Sequence, residues 1–226
     1  MTSIGLVIQA RMGSSRLPGK VLRPVGALPL LAHVTGRLAQ IKQNHPVIVA
    51  TSTNPGDDLI AAWCKRAEIT SFRGNEEDVL ERYVECATLH QFQHIVRLTA
   101  DNPFTDIEEL ERLIELHIKS GFDYTHSFGM MPLGVGAEIF THEALVRSHH
   151  DGKALNHREH VNEYIQENPQ LFRIGILDVP THKCAPQLRL TVDTEQDWRR
   201  ADTLARQAAG RWMGTQEAIS LCSSSV

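Results

Sequence analysis

Apolar residues fall into short runs separated by polar, glycine-containing stretches. Residues 4–8, 47–50 and 94–98 are rich in branched side chains, and each run is followed by a loop and then by a segment with apolar positions at helical spacing. Runs this short suit strands covered on both faces, and their alternation with helical segments predicts a parallel sheet flanked by helices. Helix starts carry their own signals. Asn54-Pro55 precedes a stretch reaching Ala67, Asn75 precedes a helix over 76–90 with three acids in its first turn, and Thr105 with Glu108 forms a capping box before Leu110, Leu113, Ile114 and His117. Beyond about residue 120 the pattern loosens into a Met, Gly and Pro stretch at 129–136, read as a loop region over one sheet edge. A helical segment at 156–168, strand patterns at 172–177 and 187–192, and a last helix at 195–209 follow. The closing Ser223-Ser224-Ser225-Val226 has no core-forming content and is expected to fray.

Length and composition narrow the picture. At 226 residues with 42% hydrophobic content the chain supports one substantial core, so a single domain over 1–226 is expected. A net charge of −4 supplies no general cationic field for nucleic acid or an anionic membrane, so any bound phosphate must meet a local basic cluster. Cys64, Cys86, Cys184 and Cys222 have no CxxC spacing and fit reduced cytosolic thiols rather than a zinc ribbon or disulfide framework. No stretch approaches the ~20 apolar residues of a membrane span, and a cytoplasmic protein is expected.

The candidate chemistry begins where the first strand ends. From Arg11 to Lys20 the chain reads Arg-Met-Gly-Ser-Ser-Arg-Leu-Pro-Gly-Lys, so three cations stand among glycines and serines. Such a loop can turn backbone N–H groups and cationic side chains onto one polyphosphate, although a solvated turn with incidental charge has the same composition. It lacks the order of a P-loop and of a GxGxxG dinucleotide loop. Asp101 and Asp193 each follow an apolar run, so both carboxylates can emerge at one sheet edge. That suits magnesium, which takes one or two carboxylates beside waters and phosphate oxygens, but an Asp just past a strand also serves as an N-cap.

The ordered set VIQARMGSSRLPGKVL, FRGNEEDVLERY, VRLTADNPFTD, REHVNEYI and RLTVDTEQDW resembles the cytidylyltransferase family that includes spore coat polysaccharide biosynthesis protein F. More distantly it is similar to the CMP-sugar synthetases for 3-deoxy-manno-octulosonate and sialic acid. The resemblance runs from about residue 4 to 205. It implies an α/β fold of the nucleotide-diphospho-sugar transferase type, Rossmann-like, with a mixed, mostly parallel sheet flanked by helices. It also implies CTP as donor and Mg²⁺ as cofactor. By this resemblance Arg11, Arg16 and Lys20 contact phosphates, Ala10 and Gly13 give close backbone approach, and Arg73 with Gly74 lies near the base. Thr99 counts with the nucleotide contacts, and Asp101 and Asp193 bind the metal. Residues 1–120 then form a nucleotide-binding half, 121–210 an acceptor-binding half and 211–226 a tail.

Glu159 and His160 match a Glu-His pair beside the acceptor; the competing account is a helix N-terminal turn with Glu159 favoured by the dipole. Relatives of the spore coat type usually carry a PxGxDxEx-like run, whereas this chain has Pro132-Leu133-Gly134-Val135-Gly136-Ala137-Glu138. Gly136 stands where an aspartate is common, and Glu138 is left as a polar contact for the acceptor. Glu76, Glu77 and Asp78 read as first-turn acids. His33, His90, His94, His117 and His149-His150 read as surface or half-buried, and Trp63, Trp198 and Trp212 as helical core or interface residues.

The expected reaction is attack by a sugar-type acceptor oxygen on the α-phosphorus, with pyrophosphate leaving and Arg11, Arg16, Lys20 and Asp101 as the catalytic set. Alternatives are transfer from another NTP to a sugar phosphate or polyol phosphate, and a non-catalytic nucleotide-binding subunit. Partners are the nucleotide and the small acceptor, with no nucleic acid or membrane, and a homodimer is left open.

Overall fold

The structure, a computed structural model, describes residues 2–208 and 211–223. In chain order the strands are β1 (Ile4–Gln9), β2 (Pro24–Val25), β3 (Leu28–Pro29), β4 (Val47–Ser52), β5 (Thr70–Gly74), β6 (His94–Thr99), β7 (Tyr124–His126), β8 (Glu138–Thr141) and β9 (Ile174–Ile176). The helices are α1 (Leu30–Leu38), α2 (Asp58–Arg66), α3 (Val79–Leu89), α4 (Ile107–Ser120), α5 (His142–Asp151), α6 (Leu155–Glu159), α7 (Glu163–Glu167), α8 (Glu195–Gln207) and α9 (Thr215–Ser223). Seven strands form one sheet in the order β5-β4-β1-β6-β8-β7-β9, while β2 and β3 make a separate hairpin. β5, β4, β1 and β6 run parallel, β8 is antiparallel to both its neighbours, and β9 runs parallel to β7. This is the mixed, mostly parallel α/β sheet expected of the sequence.

The central strands are apolar on both sides because helices cover both faces. Leu6, Ile8, Val96 and Leu98 enter a core shared with Leu31, Leu113 and Leu204, while the alternate residues Val7 and Ile95 enter a second core with Tyr83, Phe140 and Leu145. Gly5 sits where the ring of Phe92 leaves no room for a side chain: an added Cβ would lie 2.2 Å from it. Near the chain end the ring of Trp212 fills the space beside Gly36 in the same manner, at 2.6 Å.

Several local expectations shift. The caps are Asp106, accepting from Glu109 N, and Asp78, accepting from Glu81 N. Thr105 instead donates to Asn102 O, and Asn75 accepts from Glu77 N and Asp78 N ahead of the helix. Glu76 and Glu77 are therefore pre-helical, not first-turn acids. The segment 156–168 breaks into α6 and α7 around His160, whose extended backbone (φ −110°, ψ 98°) ends the first helix. Glu159 thus closes a helix rather than opening one, so the dipole account of it fails. Residues 187–192 form no ladder, only a bridge from Arg189 to Leu133. β5 escaped the sequence pattern because it is half-exposed at the sheet edge. Within the expected tail, Thr215–Ser223 is helical; Trp212 lies just before it, outside any helix. Ala209, the expected end of the last long helix, and Ser224, Ser225 and Val226 lie outside the described residues. The four cysteines are free thiols.

His117, expected at or near the surface, is fully buried in α4 between His94 (Nδ1···Nε2 3.0 Å) and Thr125 (Nδ1···Oγ1 2.8 Å). Burial, reinforced by the neighbouring His94, pushes its pKa from 6.5 to about 3. The unfolded chain protonates this residue near the ordinary value and the folded protein does not, so its contribution to stability is complete above that value and is lost as pH falls toward 3. The melting temperature should drop between about pH 7 and about pH 5, and His117→Gln should show a shallower drop in the same titration by circular dichroism. An unchanged slope would mean that His117 does not carry the effect.

Candidate active site

β1, β4 and β6 end side by side, and the loops leaving them build a cleft at the carboxyl edge of the sheet, where open α/β folds place ligands. The loop after β1 is anchored by Asp57, whose buried carboxylate accepts from Met12 N (2.7 Å), Ser52 N (3.2 Å) and Ser52 Oγ (2.5 Å). Gly19 then takes a left-handed conformation (φ 70°), which glycine alone enters without cost, and starts the tight turn that sends Lys20 inward.

Lys20 is 7% exposed, and its ammonium donates to Asp101 Oδ2 (2.7 Å), Val192 O (2.8 Å) and Asp193 Oδ1 (2.8 Å). Asp101 and Asp193 thus converge as the sequence suggested. Their loops are joined directly, because Val192 N donates to Asp101 O at 2.9 Å. Arg16 reaches Asp193 Oδ1 at 3.2 Å, and Arg189 pairs with its other oxygen. Burial alone would raise the pKa of Asp193, but the Lys20 hydrogen bond and the charges of Lys20, Arg16 and Arg189 hold it below the usual carboxylate range. Neither aspartate is an N-cap: that place at α8 belongs to Thr194, which shares a capping box with Asp197.

Two cavities meet here. The first, about 230 Å³, is lined by Ala10, Arg11, Arg16, Lys20, Glu159 and, unforeseen, Arg82. The second, about 570 Å³, runs toward Phe128, Met131, Leu133 and Gly136. Their common wall is Gln9, Arg97, Thr99, Asp101, His160 and Asp193. Arg73, Gly74 and Gly13 line neither. Arg73 clamps the loop after β4 by donating to Ser52 O (2.9 Å) and Asn54 O (3.0 Å) and pairing with Asp58. Gly74 packs against Phe72 and Arg82, and Gly13 faces open space.

Arg97 and Gln9 were missed. Arg97 lies in the middle of β6, ion-paired through Nη1 with Glu138 directly opposite on β8, and its Nε donates to Gln9 Oε1 at 3.1 Å. Glu138, 1% exposed, also accepts from Tyr124 OH (2.6 Å) and Asn162 Nδ2 (3.0 Å). It lines the second cavity, and both its oxygens are engaged within the protein. An arginine inside an apolar strand was the available signal, since a buried charge demands a partner. At Gly136 an added Cβ would lie 3.0 Å from Ser127 Oγ and 3.1 Å from Phe128, so an aspartate there would displace both. The three-carboxylate group Asp106, Glu108 and Glu109 stands at the N-terminus of α4, where all three carboxylates pair with the Lys183 ammonium at 2.8–3.1 Å.

A sequence model of the family described as cytidylyltransferase matches residues 6–216. The chain is 39% identical to the spore coat polysaccharide biosynthesis protein SpsF of Bacillus subtilis over 216 residues, 93% of this chain and 90% of that one. A solved cytidylyltransferase from Leptospira borgpetersenii superposes with a TM-score of 0.93 at 28% identity, covering all of this chain and 95% of that one. The CMP:2-keto-3-deoxy-manno-octonic acid synthetase complexed with CTP shares the fold, with a TM-score of 0.70 at 17% identity over 91% of this chain and 99% of that one.

Removing one partner of the buried Arg97–Glu138 pair strands the other charge. Glu138→Ala should therefore lower stability by about 3–5 kcal/mol in denaturant titrations, whereas the double change Arg97→Met with Glu138→Met should recover most of that loss. Equal destabilisation by the single and double variants would rule out the pair as the cause.

Proposed function

The chain belongs to the cytidylyltransferase family, and we propose that it transfers CMP from CTP to a hydroxyl of a sugar or sugar-acid acceptor. The observation that carries this reading is the division of charge between the two cavities. Arg11, Arg16, Lys20 and Arg82 gather around the first, which suits a triphosphate. Around the second, Arg97 is the single Lys or Arg and is already neutralised by Glu138; beyond Asp101, Asp193 and His160 on the shared wall the lining is hydroxyl, amide and apolar, which suits a polyol face better than a second phosphate. The same division disfavours the sugar-phosphate and polyol-phosphate alternatives.

With the nucleotide in the first cavity and the acceptor in the second, the acceptor oxygen approaches the α-phosphorus across the wall of Asp101, Arg97 and His160. A new P–O bond forms to that oxygen as its hydroxyl proton is released to solvent, the bond from the α-phosphorus to the bridging oxygen breaks, and its electron pair leaves on pyrophosphate. No protein nucleophile is required, so the chain positions the reactants and disperses charge. Arg11 and Arg16 face the phosphates, with Ala10, Gly13 and Thr99 at the backbone edge. The loop after β4 that Arg73 clamps, together with Gly74 at the end of β5, borders the base. At the end of α6, His160 stands on the wall shared with the acceptor cavity, and Glu159 lines the first cavity beside it.

The group that fits Asp101 and Asp193 is Mg²⁺. Three hard oxygen donors, one from each carboxylate and the Val192 carbonyl, already converge on a single cationic point, the Lys20 ammonium. When bound, Mg²⁺ would neutralise charge developing on the phosphoryl oxygens. No helix among the described residues is long and apolar enough to cross a membrane, and we place the enzyme in the cytoplasm as one domain supplying surface-glycan synthesis.

CTP should bind more tightly than ATP, GTP or UTP in calorimetric titrations with Mg²⁺ present; equal affinity for all four would remove base selection. Asp101→Asn should lower turnover, read as pyrophosphate release from CTP with a panel of free sugars and sugar acids, by at least ~10²-fold. Its melting temperature should stay close to that of the unaltered protein, because Lys20 keeps Asp193 and Val192 O as partners. Unchanged turnover and Mg²⁺ dependence would remove Asp101 from the metal site.

A further inference from the structure

An ammonium carries three N–H groups, and in Lys20 all three are committed, to Asp101 Oδ2, Asp193 Oδ1 and Val192 O. None is left for a phosphate oxygen, although the residue lines the phosphate cavity beside Arg11 and Arg16. The point it occupies is also the point at which a small divalent ion would meet both carboxylates, and two cations cannot share it. The backbone around Lys20 is fixed by the left-handed Gly19 and the turn that follows, so the freedom lies in the four-carbon side chain. Arg16 and Arg189 approach Asp193 from elsewhere, while Asp101 has Lys20 as its sole ion-pair partner among the described residues.

We infer that Lys20 is the resident counter-ion of the divalent-cation site: its ammonium holds Asp101 and Asp193 together, excludes the ion while it does so, and turns to the nucleotide phosphates when the ion takes the carboxylates. This rests on the reading of Asp101 and Asp193 as the metal carboxylates. The exchange couples two ligands. The ion alone must evict an ammonium that has nowhere else to pair, and the nucleotide alone meets a lysine already neutralised. Arriving together, each removes the obstacle to the other, because the evicted ammonium gains the phosphates and the carboxylates gain the ion. Thermodynamic reciprocity then makes nucleotide and metal raise each other's affinity by the same factor.

The test uses Mn²⁺ alone, followed by electron paramagnetic resonance, and thermal melts in EDTA or Mg²⁺, all without nucleotide. The unaltered protein should bind Mn²⁺ weakly and melt at nearly the same temperature in both solutions. Lys20→Met should bind Mn²⁺ at least ~10-fold more tightly, since the competent site is no longer shared with the ammonium. It should melt early in EDTA and recover in Mg²⁺; a variant that folds only when Mg²⁺ is added counts the same way. Adding Asp101→Asn to Lys20→Met should abolish the gain. Mn²⁺ affinity of Lys20→Met no higher than that of the unaltered protein, a melt indifferent to Mg²⁺, or a gain that survives Asp101→Asn would each overturn the inference. None of these measurements involves CTP or an acceptor, so failure here is distinct from failure of the proposed transfer. If Mn²⁺ bound in the presence of CTP is lost in Asp101→Asn while Lys20→Met shows no gain, the metal site stands and the exchange does not.

Discussion

The ammonium of Lys20 ties together three segments that lie far apart in the chain: the loop after β1, the end of β6 and the turn before α8, across separations of 81 and 173 residues. Each of the two aspartates would be costly in isolation, because a half-buried carboxylate gives up hydration that only a matched cation restores. Lys20 supplies that cation to both at once. The result is a rigid junction at the carboxyl edge of the sheet, and the two cavities are defined by their positions on either side of it. The backbone link from Val192 N to Asp101 O fixes the same junction independently of charge.

A second polar construction lies behind the first. Where β8 reverses direction against β6, Arg97 and Glu138 face each other, and Gln9, Tyr124 and Asn162 complete their hydrogen bonds. Burial weakens the charged form of Arg97, yet the carboxylate of Glu138 and the nearby phenol of Tyr83 keep its pKa above the ordinary value. A fully paired network in a poorly screened interior is rigid. Arg97 therefore presents a fixed edge to both cavities instead of a mobile side chain, and the chemistry can depend on positioning rather than on a protein nucleophile.

The apolar runs at 4–8, 47–50 and 94–98 mark the central strands because those strands are covered on both faces, leaving no polar alternation to blur them. The half-exposed edge strand β5 has no such run and was not legible. Caps shifted by one or a few residues, from Thr105 to Asp106 and from Asn75 to Asp78, since several consecutive Asx or Thr residues can satisfy the same amides and only the path of the incoming loop selects one. The helical period over 156–168 did not reveal that the chain extends at His160, which places Glu159 and His160 on the cavity wall.

What the sequence by itself determined is the class of fold and the inventory of chemistry: the alternation of strand and helix, a cationic Gly/Ser loop after β1, and aspartates following two apolar runs. These are properties of local composition and order, and the ordered motifs also sufficed to reveal the cytidylyltransferase resemblance. What only the tertiary structure decided is which of those groups face one another. Lys20 pairs with two carboxylates, Glu138 pairs with Arg97, and Arg73 clamps the loop after β4, and none of these pairings could be read from the sequence. The physical reason is that a charge pairs with whatever the fold brings within hydrogen-bond distance, and in these pairings the hydrogen-bonded residues lie from 19 to 173 residues apart in the chain, beyond the reach of any local pattern.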